Sequence, residues 1–198
     1  MPHPKILVIP GSVRNRSHNA RLAALAAKEL TLADADVSQI SLFDYPMPVY
    51  DADHDVVSGP PPNAVKLKKM MAAHRGIFIA SPEYNASVSP LVKNAIDWVS
   101  RVRERGEPTY AAFRGRAFAL GAASPDTLGG ARGLIALRQI LELGCGALVI
   151  PEQVTVPNAE NAFDDLDNLK DERQATALKS VARRLVELAQ QLSWMERS

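Results

Sequence analysis

The sequence has very little cysteine and no long apolar run. Cys145 is the only cysteine among the 198 residues, which excludes a disulfide framework and a cysteine-based metal site. The start of the chain lacks a charged-then-apolar leader pattern, and no apolar run approaches the length of about 18 residues that a membrane helix needs. We therefore expect a cytoplasmic protein with no membrane partner.

The sequence also lacks a surplus of charge of either sign. Lys plus Arg number 23 and Asp plus Glu number 22, which gives a formal net charge of +1. A nucleic-acid-binding protein needs a basic surface to neutralise phosphates, so we expect no nucleic-acid partner. The acidic surplus of a small electron carrier that docks by charge is missing as well. Composition and length are typical of one globular domain over residues 1–198.

Two common phosphate-binding motifs are absent. In a P-loop that starts at Gly11, Arg16 and Ser17 would occupy the positions that require Gly and Lys. A dinucleotide fingerprint requires a second glycine where this chain has Val13. The four histidines lack the spacing of metal ligands, and no pair of nucleophile and base stands out. We expect no metal site and no catalytic side chain, so that a cofactor carries the chemistry.

Apolar runs alternate with helical patterns along the chain. The alternation of five strands with five helices predicts an α/β fold with one parallel sheet. The proline-containing segment 43–62 has little periodicity and is expected to be a long loop. The expected strands cover residues 5–10, 36–42, 76–80, 117–122 and 147–150, the last with a possible extension to 156, and the expected helices cover 19–30, 63–73, 90–99, 131–143 and 178–192.

Polar loops follow three of the expected strands. The loop after the first strand, residues 11–19, offers hydroxyl, amide and guanidinium groups directly before a helix, a setting that binds phosphate. Residues 82–85 bring an aromatic ring and an amide that suit a planar heterocycle, and a Gly-Gly pair follows the fourth strand. Each loop alone is also consistent with an ordinary turn. The carboxyl ends of parallel strands share one edge of a sheet, so we expect the three loops to form one site.

The sequence resembles the NADPH-dependent FMN reductase family of flavodoxin-like proteins, which includes enzymes described as quinone, chromate and azo-dye reductases. The resemblance extends from residue 6 to about residue 156. Two departures are Ala86 and Leu91, which occupy places where family members often have glycine. The residues that carry the resemblance are 11–19 (GSVRNRSHN), 81–85 (SPEYN) with 89–98 (SPLVKNAIDW), and 129–132 (GGAR).

The resemblance implies a flavodoxin-like three-layer sandwich, with a five-stranded parallel sheet of order 2-1-3-4-5 and helices on both faces. It implies FMN as cofactor, NADPH or NADH as electron donor, and a homo-oligomer, either a dimer or a tetramer. Segment 43–62 is a candidate to border the site of a neighbouring subunit, and a mobile surface loop is the alternative interpretation of the same residues. The implied FMN-binding residues are Ser12, Arg14, Ser17 and Asn19 at the phosphate, with Gly11 and His18 in the same loop, then Pro82, Glu83, Tyr84 and Asn85 along the isoalloxazine ring, and Ser124, Gly129 and Gly130 on its other side.

The expected activity is ping-pong transfer of a hydride from NADPH or NADH to FMN and then to a small-molecule acceptor. Quinones, flavins, azo compounds and metal oxyanions are the acceptors that the resemblance suggests. Two other functions would use the same fold and cofactor, namely a flavodoxin-like single-electron carrier and an FMN-binding interaction or sensor protein with little turnover. The near-neutral charge and the length of 198 residues favour the enzyme over the carrier.

Overall fold

A computed structural model describes residues 3–195 and places a parallel sheet at the centre of the protein. The strands of the main sheet are β1 (Lys5–Pro10), β2 (Asp36–Gln39), β3 (Gly76–Ala80), β6 (Ala117–Ala123) and β7 (Leu148–Val156), and a small antiparallel hairpin is formed by β4 (Glu83–Tyr84) and β5 (Ser87–Val88). The main sheet has the order β2-β1-β3-β6-β7 with every pair parallel. This order confirms the expected 2-1-3-4-5 arrangement once the hairpin strands are left out of the numbering.

Helices cover both faces of the sheet. They are α1 (His18–Leu32), α2 (Ala52–Ser58), α3 (Pro62–Ala72), α4 (Pro90–Arg101), α5 (Ala131–Gln139) and α6 (Glu172–Met195). Buried side chains of α1 and α6 form one apolar layer, and those of α3, α4 and α5 form the other. Within residues 3–195, no helix combines the length and the apolar character that crossing a bilayer requires.

Strand β1 shows why the sheet is covered on both sides. Side chains of a strand alternate between its faces, and here Ile6 and Val8 enter the layer with α1 and α6 while Leu7 and Ile9 enter the opposite layer. All four side chains are almost fully buried. A continuous apolar run is therefore what this position in a parallel sheet demands, and the expected bounds of 5–10 are confirmed.

The prediction of an irregular loop over residues 43–62 is wrong in part. The segment starts within a 3-10 turn, Leu42–Asp44, and contains the two-turn helix α2, which Asp51 caps by accepting a hydrogen bond from the Asp53 backbone N–H at 2.8 Å. None of the α2 residues is buried. The sequence lacks the apolar periodicity that would predict this helix, because the helix has no buried face.

Several other bounds differ from expectation: β2 ends at Gln39 rather than at residue 42, and α6 begins at Glu172 rather than at residue 178. The helix expected over 131–143 ends its α-helical part at Gln139 and continues as a π-helical turn, Ile140–Gly144. Strand β7 runs through Pro151 to Val156, as the apolar residues beyond the proline suggested. Pro151 is tolerated because β7 lies at the edge of the sheet and bulges there, since Phe118 pairs with Val149 whereas Leu120 pairs with Gln153.

Candidate functional site

The loops after β1, β3 and β6 meet at the carboxyl edge of the sheet. The Gly11 backbone N–H donates to the Ala80 carbonyl oxygen at 2.8 Å, which joins the first loop to the end of β3. The Ser81 N–H donates to the Gly121 carbonyl oxygen at 2.8 Å, which joins the second loop to β6. The expected convergence of the three loops is therefore present in the structure, in the place where open α/β sheets bind ligands.

The first loop turns sharply before α1. The Ser17 N–H donates to the Arg14 carbonyl oxygen at 3.1 Å, and Arg16 adopts a left-handed backbone conformation with φ of 56°. The Ser17 hydroxyl then caps α1 by accepting from the Ala20 N–H at 3.3 Å. The Arg14 side chain is exposed and has no ion-pair partner among residues 3–195. A free guanidinium beside a helix N-terminus is suited to a phosphate monoester.

Gly11 allows the first loop to pass close to its neighbours. A Cβ atom at this position would lie 2.5 Å from Val92 Cγ2 and 3.2 Å from Pro82 Cδ. Any larger residue would push the loop away from α4 and from the second loop. Glycine is therefore required here by close approach.

His18 is the first residue of α1 and carries a buried polar atom without a partner. Its Nδ1 is inaccessible to solvent and has no hydrogen-bond partner in the described part of the chain. The pKa of His18 is lowered from its ordinary value, first by burial and then by the positive charges of Arg14 and Arg21, while Glu160 acts in the opposite direction. Two nearby cations that oppose protonation of this histidine are consistent with a site that an anion completes.

Asn19 ties α1 to the end of β6. Its side-chain Nδ2 donates to the Ala123 carbonyl oxygen at 2.8 Å, and its Oδ1 accepts from the Ala123 N–H at 2.9 Å. The residue is only 3% exposed. This pair of bonds fixes the helix N-terminus relative to the third loop, and a phosphate contact by Asn19 stays a prediction.

The second loop, expected as a polar loop after its strand, is a tight hairpin. Strands β4 and β5 pair with each other, and both central turn residues, Asn85 and Ala86, have positive φ, 50° and 60°. Two consecutive left-handed residues are typical of a type I′ hairpin turn. Tyr84 is half-exposed at 49%, while Pro82 is buried against the first loop. The tyrosine ring is thereby presented at the surface of the site.

The Glu83 carboxylate connects the hairpin to α5. Its Oε1 accepts from Arg132 Nε at 2.7 Å, and its Oε2 accepts from the Gly133 N–H at 3.0 Å. The Glu83 side chain is only 3% exposed. Arg132 also contacts Asp126 at 3.1 Å, and hydrogen bonding to Glu83 raises the pKa of its guanidinium. Arg132 therefore bridges the second and third loops, and a ring contact by Glu83 stays a prediction.

The third loop depends on its two glycines. Gly129 and Gly130 have φ of 60° and 88°, and a Cβ atom at Gly130 would lie 2.6 Å from Ala122 Cβ. A Cβ atom at Gly129 would lie 2.7 Å from the backbone nitrogen of Pro157. Both conformation and packing therefore exclude larger residues. Ser124, also predicted for the site, is 9% exposed and accepts from the Asp126 N–H at 3.3 Å.

Open grooves elsewhere do not coincide with these loops. One of about 490 Å³ lies between the end of α1 and α6, where it is lined by Asp34, Lys179 and Arg183. Asp34 lies just before β2, so this groove is at the amino edge of the sheet. Open α/β sheets bind their ligands at the carboxyl edge, and we place the functional site there.

Comparison with known proteins shows the family to which this chain belongs. Residues 4–161 match the model of the NADPH-dependent FMN reductase family. The chain belongs to this family. The match covers more than half of the chain, and the family uses the cofactors that the sequence predicted, FMN and a nicotinamide donor. The enzyme class, an NAD(P)H-dependent FMN or quinone reductase, is confirmed with it.

Individual relatives agree with this assignment. The chain is 34% identical over 193 residues to an NAD(P)H-dependent FMN reductase of Pseudomonas aeruginosa, covering 91% of this chain and 96% of the relative. It is 33% identical over 138 residues to a quinone reductase of Escherichia coli K12, covering 69% of each. The solved structure of FerB, a flavoenzyme NAD(P)H:(acceptor) oxidoreductase of Paracoccus denitrificans, has a TM-score of 0.76 and 26% identity, covering 95% of this chain and 98% of FerB. This likeness confirms the flavodoxin-like fold.

Two residues outside the predicted site set hold the loops in place. The Ser89 hydroxyl caps α4 and also donates to the Gly11 carbonyl oxygen. Arg132 lies in the segment 129–132 that carries the family resemblance, and it binds Glu83. Its partner Glu83 lies 49 positions away, so no local spacing announces the pair.

Proposed function

We propose that the first loop holds the FMN phosphate and that the second and third loops hold the isoalloxazine ring. The observation that carries the proposal is the convergence of these loops at one sheet edge, within a chain of the FMN reductase family. The exposed Arg14 guanidinium and the N-terminus of α1 provide positive charge for a phosphate. Tyr84 is half-exposed and offers an aromatic ring for stacking, and the Gly129–Gly130 turn carries no side chains that would obstruct a flat ring.

The protein groups position the cofactor and the substrates rather than react themselves. When bound, FMN would supply the redox chemistry between NADPH or NADH and a small-molecule acceptor. The Arg132 bridge ties the second loop to the third loop and so limits their relative movement. We propose ping-pong turnover, with quinones, flavins, azo compounds and metal oxyanions as the acceptors to be tested.

The test begins with the visible spectrum of the purified protein. A yellow protein that retains FMN, is bleached by anaerobic NADPH and regains colour with a quinone supports the proposal. Initial rates at several NADPH and quinone concentrations should give parallel double-reciprocal lines. A colourless protein that takes up no FMN and oxidises no NADPH would contradict it. A stable blue semiquinone would favour the single-electron carrier instead, and tight FMN binding without turnover would favour a sensor.

We also propose that the protein is a homo-oligomer, a dimer or a tetramer, built from a single domain and located in the cytoplasm. Three exposed valines support the homo-oligomer. Val49 precedes α2, Val56 and Val57 lie within it, and each is at least 85% exposed. Exposed apolar clusters mark interaction surfaces. The adjoining Pro48 is held in place, since its carbonyl oxygen accepts from Trp98 Nε1 at 2.7 Å. Sedimentation of the wild type and of Val56→Asp tests this, and a monomeric wild type would contradict it.

A further inference from the structure

His18 is the only residue of the first loop, residues 11–19, that titrates near neutral pH. Its position is defined on both sides, because Ser17 caps α1 directly before it and Asn19 is bonded to β6 directly after it. The imidazole is half-buried, and Nδ1 has no hydrogen-bond partner within residues 3–195. The backbone of His18 is therefore fixed at the N-terminus of α1, and one nitrogen of its ring is unsatisfied.

The charges around His18 disfavour its protonated form in the free protein. Arg14 in the loop and Arg21 one turn along α1 are both positive, and Glu160 in the loop after β7 is the negative group that acts on the ring. Arg21 is itself engaged, since its Nε donates to Asp167 Oδ1 at 2.6 Å and its guanidinium lies 4.4 Å above the Phe163 ring. The cationic surroundings of His18 are thus held in place by the loop after β7.

A protonated imidazole would need an acceptor that the described residues do not provide. The imidazolium donates from both ring nitrogens, and a buried N–H without an acceptor is costly. Burial and the two arginines lower the pKa of His18 for the same reasons. A phosphate group at this helix N-terminus would supply negative charge that offsets the positive charges of Arg14 and Arg21 and so favours the imidazolium.

We propose that His18 takes up one proton from solvent when the FMN phosphate binds, and that the resulting imidazolium contributes to phosphate binding. The inference rests on the proposed function, because it requires the phosphate to occupy the first loop. It assigns His18 a function that is distinct from the permanent charge of Arg14. Flavin retention would then depend on pH through this side chain.

The sign of the pH dependence follows from linkage. A group whose pKa rises on binding increases the affinity as the pH falls through its value in the complex, and the gain levels off below its value in the free protein. A rise of one pKa unit corresponds to about a tenfold gain in affinity. The FMN phosphate acts in the opposite direction, because it binds its own second proton near about pH 6. A comparison with a His18 variant separates the two effects.

The experiment measures FMN affinity by flavin fluorescence for the wild type, His18→Gln and the control His54→Gln. His54 is an exposed histidine on α2 that packs on Trp98 at 6.1 Å between ring centroids. We expect the ratio of the His18→Gln to the wild-type dissociation constant to rise at least about threefold between about pH 8 and pH 6. The corresponding ratio for His54→Gln should stay constant. With riboflavin, which lacks the phosphate, neither ratio should change.

A proton NMR titration of the wild-type protein provides a readout that needs no variant to fold. The pKa of the His18 ring should rise when FMN is added, and it should not rise when riboflavin is added. An unchanged His18 pKa in the FMN complex, or equal pH profiles for the wild type and His18→Gln, would overturn this inference and leave the proposed function intact. A protein that does not bind FMN at any pH would overturn both.

Discussion

The hydroxyl of Ser89 donates a hydrogen bond to the Gly11 carbonyl oxygen at 3.2 Å and also accepts one from the Val92 N–H at 3.4 Å. Ser89 is only 1% exposed. One buried side chain therefore caps α4 and fixes the first loop of the site. The geometry of the proposed phosphate loop depends on the capping residue of a helix, 78 positions further along the chain.

Replacing Ser89 should weaken both the cap of α4 and the attachment of the first loop. We expect Ser89→Ala to lower the free energy of unfolding by about 1–2 kcal/mol, because a helix cap and a buried hydrogen bond are lost. FMN affinity should fall as well, since the Gly11 carbonyl group is released. Urea unfolding and flavin titration measure the two effects.

Two further variants separate the cap from the bridge to Gly11. Glycine caps helices nearly as well as serine, so Ser89→Gly should keep most of the cap and still lose the bridge. Ser100→Ala is the matched control, because that hydroxyl donates only to the Asp97 carbonyl oxygen of its own helix. Equal FMN affinity in all three variants would show that the bridge does not shape the loop.

Short-range patterns in the sequence predict the elements that have a regular buried face. The bounds of β1 and β3 agree with expectation because strands covered on both sides are continuous apolar runs. The capped start of α4 follows from Ser89 and Pro90, a local signal. Helix α2 could not be predicted in this way because it buries none of its residues. The strand order was available only through the family resemblance.

The site could be predicted as a set of loops but not as a set of contacts. The polar residues after β1, β3 and β6 indicated convergence because parallel strands end at one edge. The bonds that hold the loops together join residues far apart, such as Asn19 with Ala123, 104 positions away. Nor does spacing show that the Glu83 side chain turns toward α5. Such contacts arise from tertiary packing between distant residues, which leaves no short-range pattern in a single sequence.

The hairpin turn after Tyr84 is strained at Ala86. Its φ of 60° lies in the left-handed region, where an L-residue with a Cβ atom is disfavoured. We expect Ala86→Gly to raise the free energy of unfolding by about 0.5–1 kcal/mol, the relief of strain less the added flexibility of the unfolded chain. Ala52→Gly, at the start of α2 with an ordinary φ, should give no gain. A loss of stability in Ala86→Gly, measured by urea unfolding, would contradict this account of the turn.

The Glu83 carboxylate accepts from two donors at once. Glu83→Gln places an amide NH₂ group beside either Arg132 Nε or the Gly133 N–H, so one donor faces another. We expect a loss of about 1–3 kcal/mol in the free energy of unfolding, the usual cost of an unsatisfied buried group. Glu142→Gln is the control, because its partner Arg138 is 3.2 Å away in a more exposed pair whose loss should cost at most about 0.5 kcal/mol. Equal losses of unfolding free energy in the two variants would show that the two bonds to Glu83 contribute no more than an exposed ion pair.

The buried Cys145 should make stability depend on pH in the alkaline range. Burial raises the pKa of its thiol to about 11. Because the folded value lies above the unfolded one, this stability is complete below about pH 8.5 and is lost as the pH rises toward about pH 11. We expect a loss of about 2 kcal/mol across that range in the wild type relative to Cys145→Ala. Parallel stability profiles, or rapid thiol labelling of the native protein, would contradict the burial of the thiol.

Arg14 separates retention of the flavin from the chemistry that the flavin performs. Its exposed guanidinium has no ion-pair partner within residues 3–195, so Arg14→Ala should leave the unfolding curve unchanged. We expect the dissociation constant for FMN to rise about tenfold or more, since a charge-assisted bond to phosphate is lost, while riboflavin binds as before. At saturating FMN, kcat should stay near the wild-type value because the reacting ring lies at the other end of the cofactor. Arg183→Ala, on the exposed face of α6, is the control for charge alone. If Arg14→Ala and Arg183→Ala weaken FMN binding equally, the phosphate does not lie in the first loop.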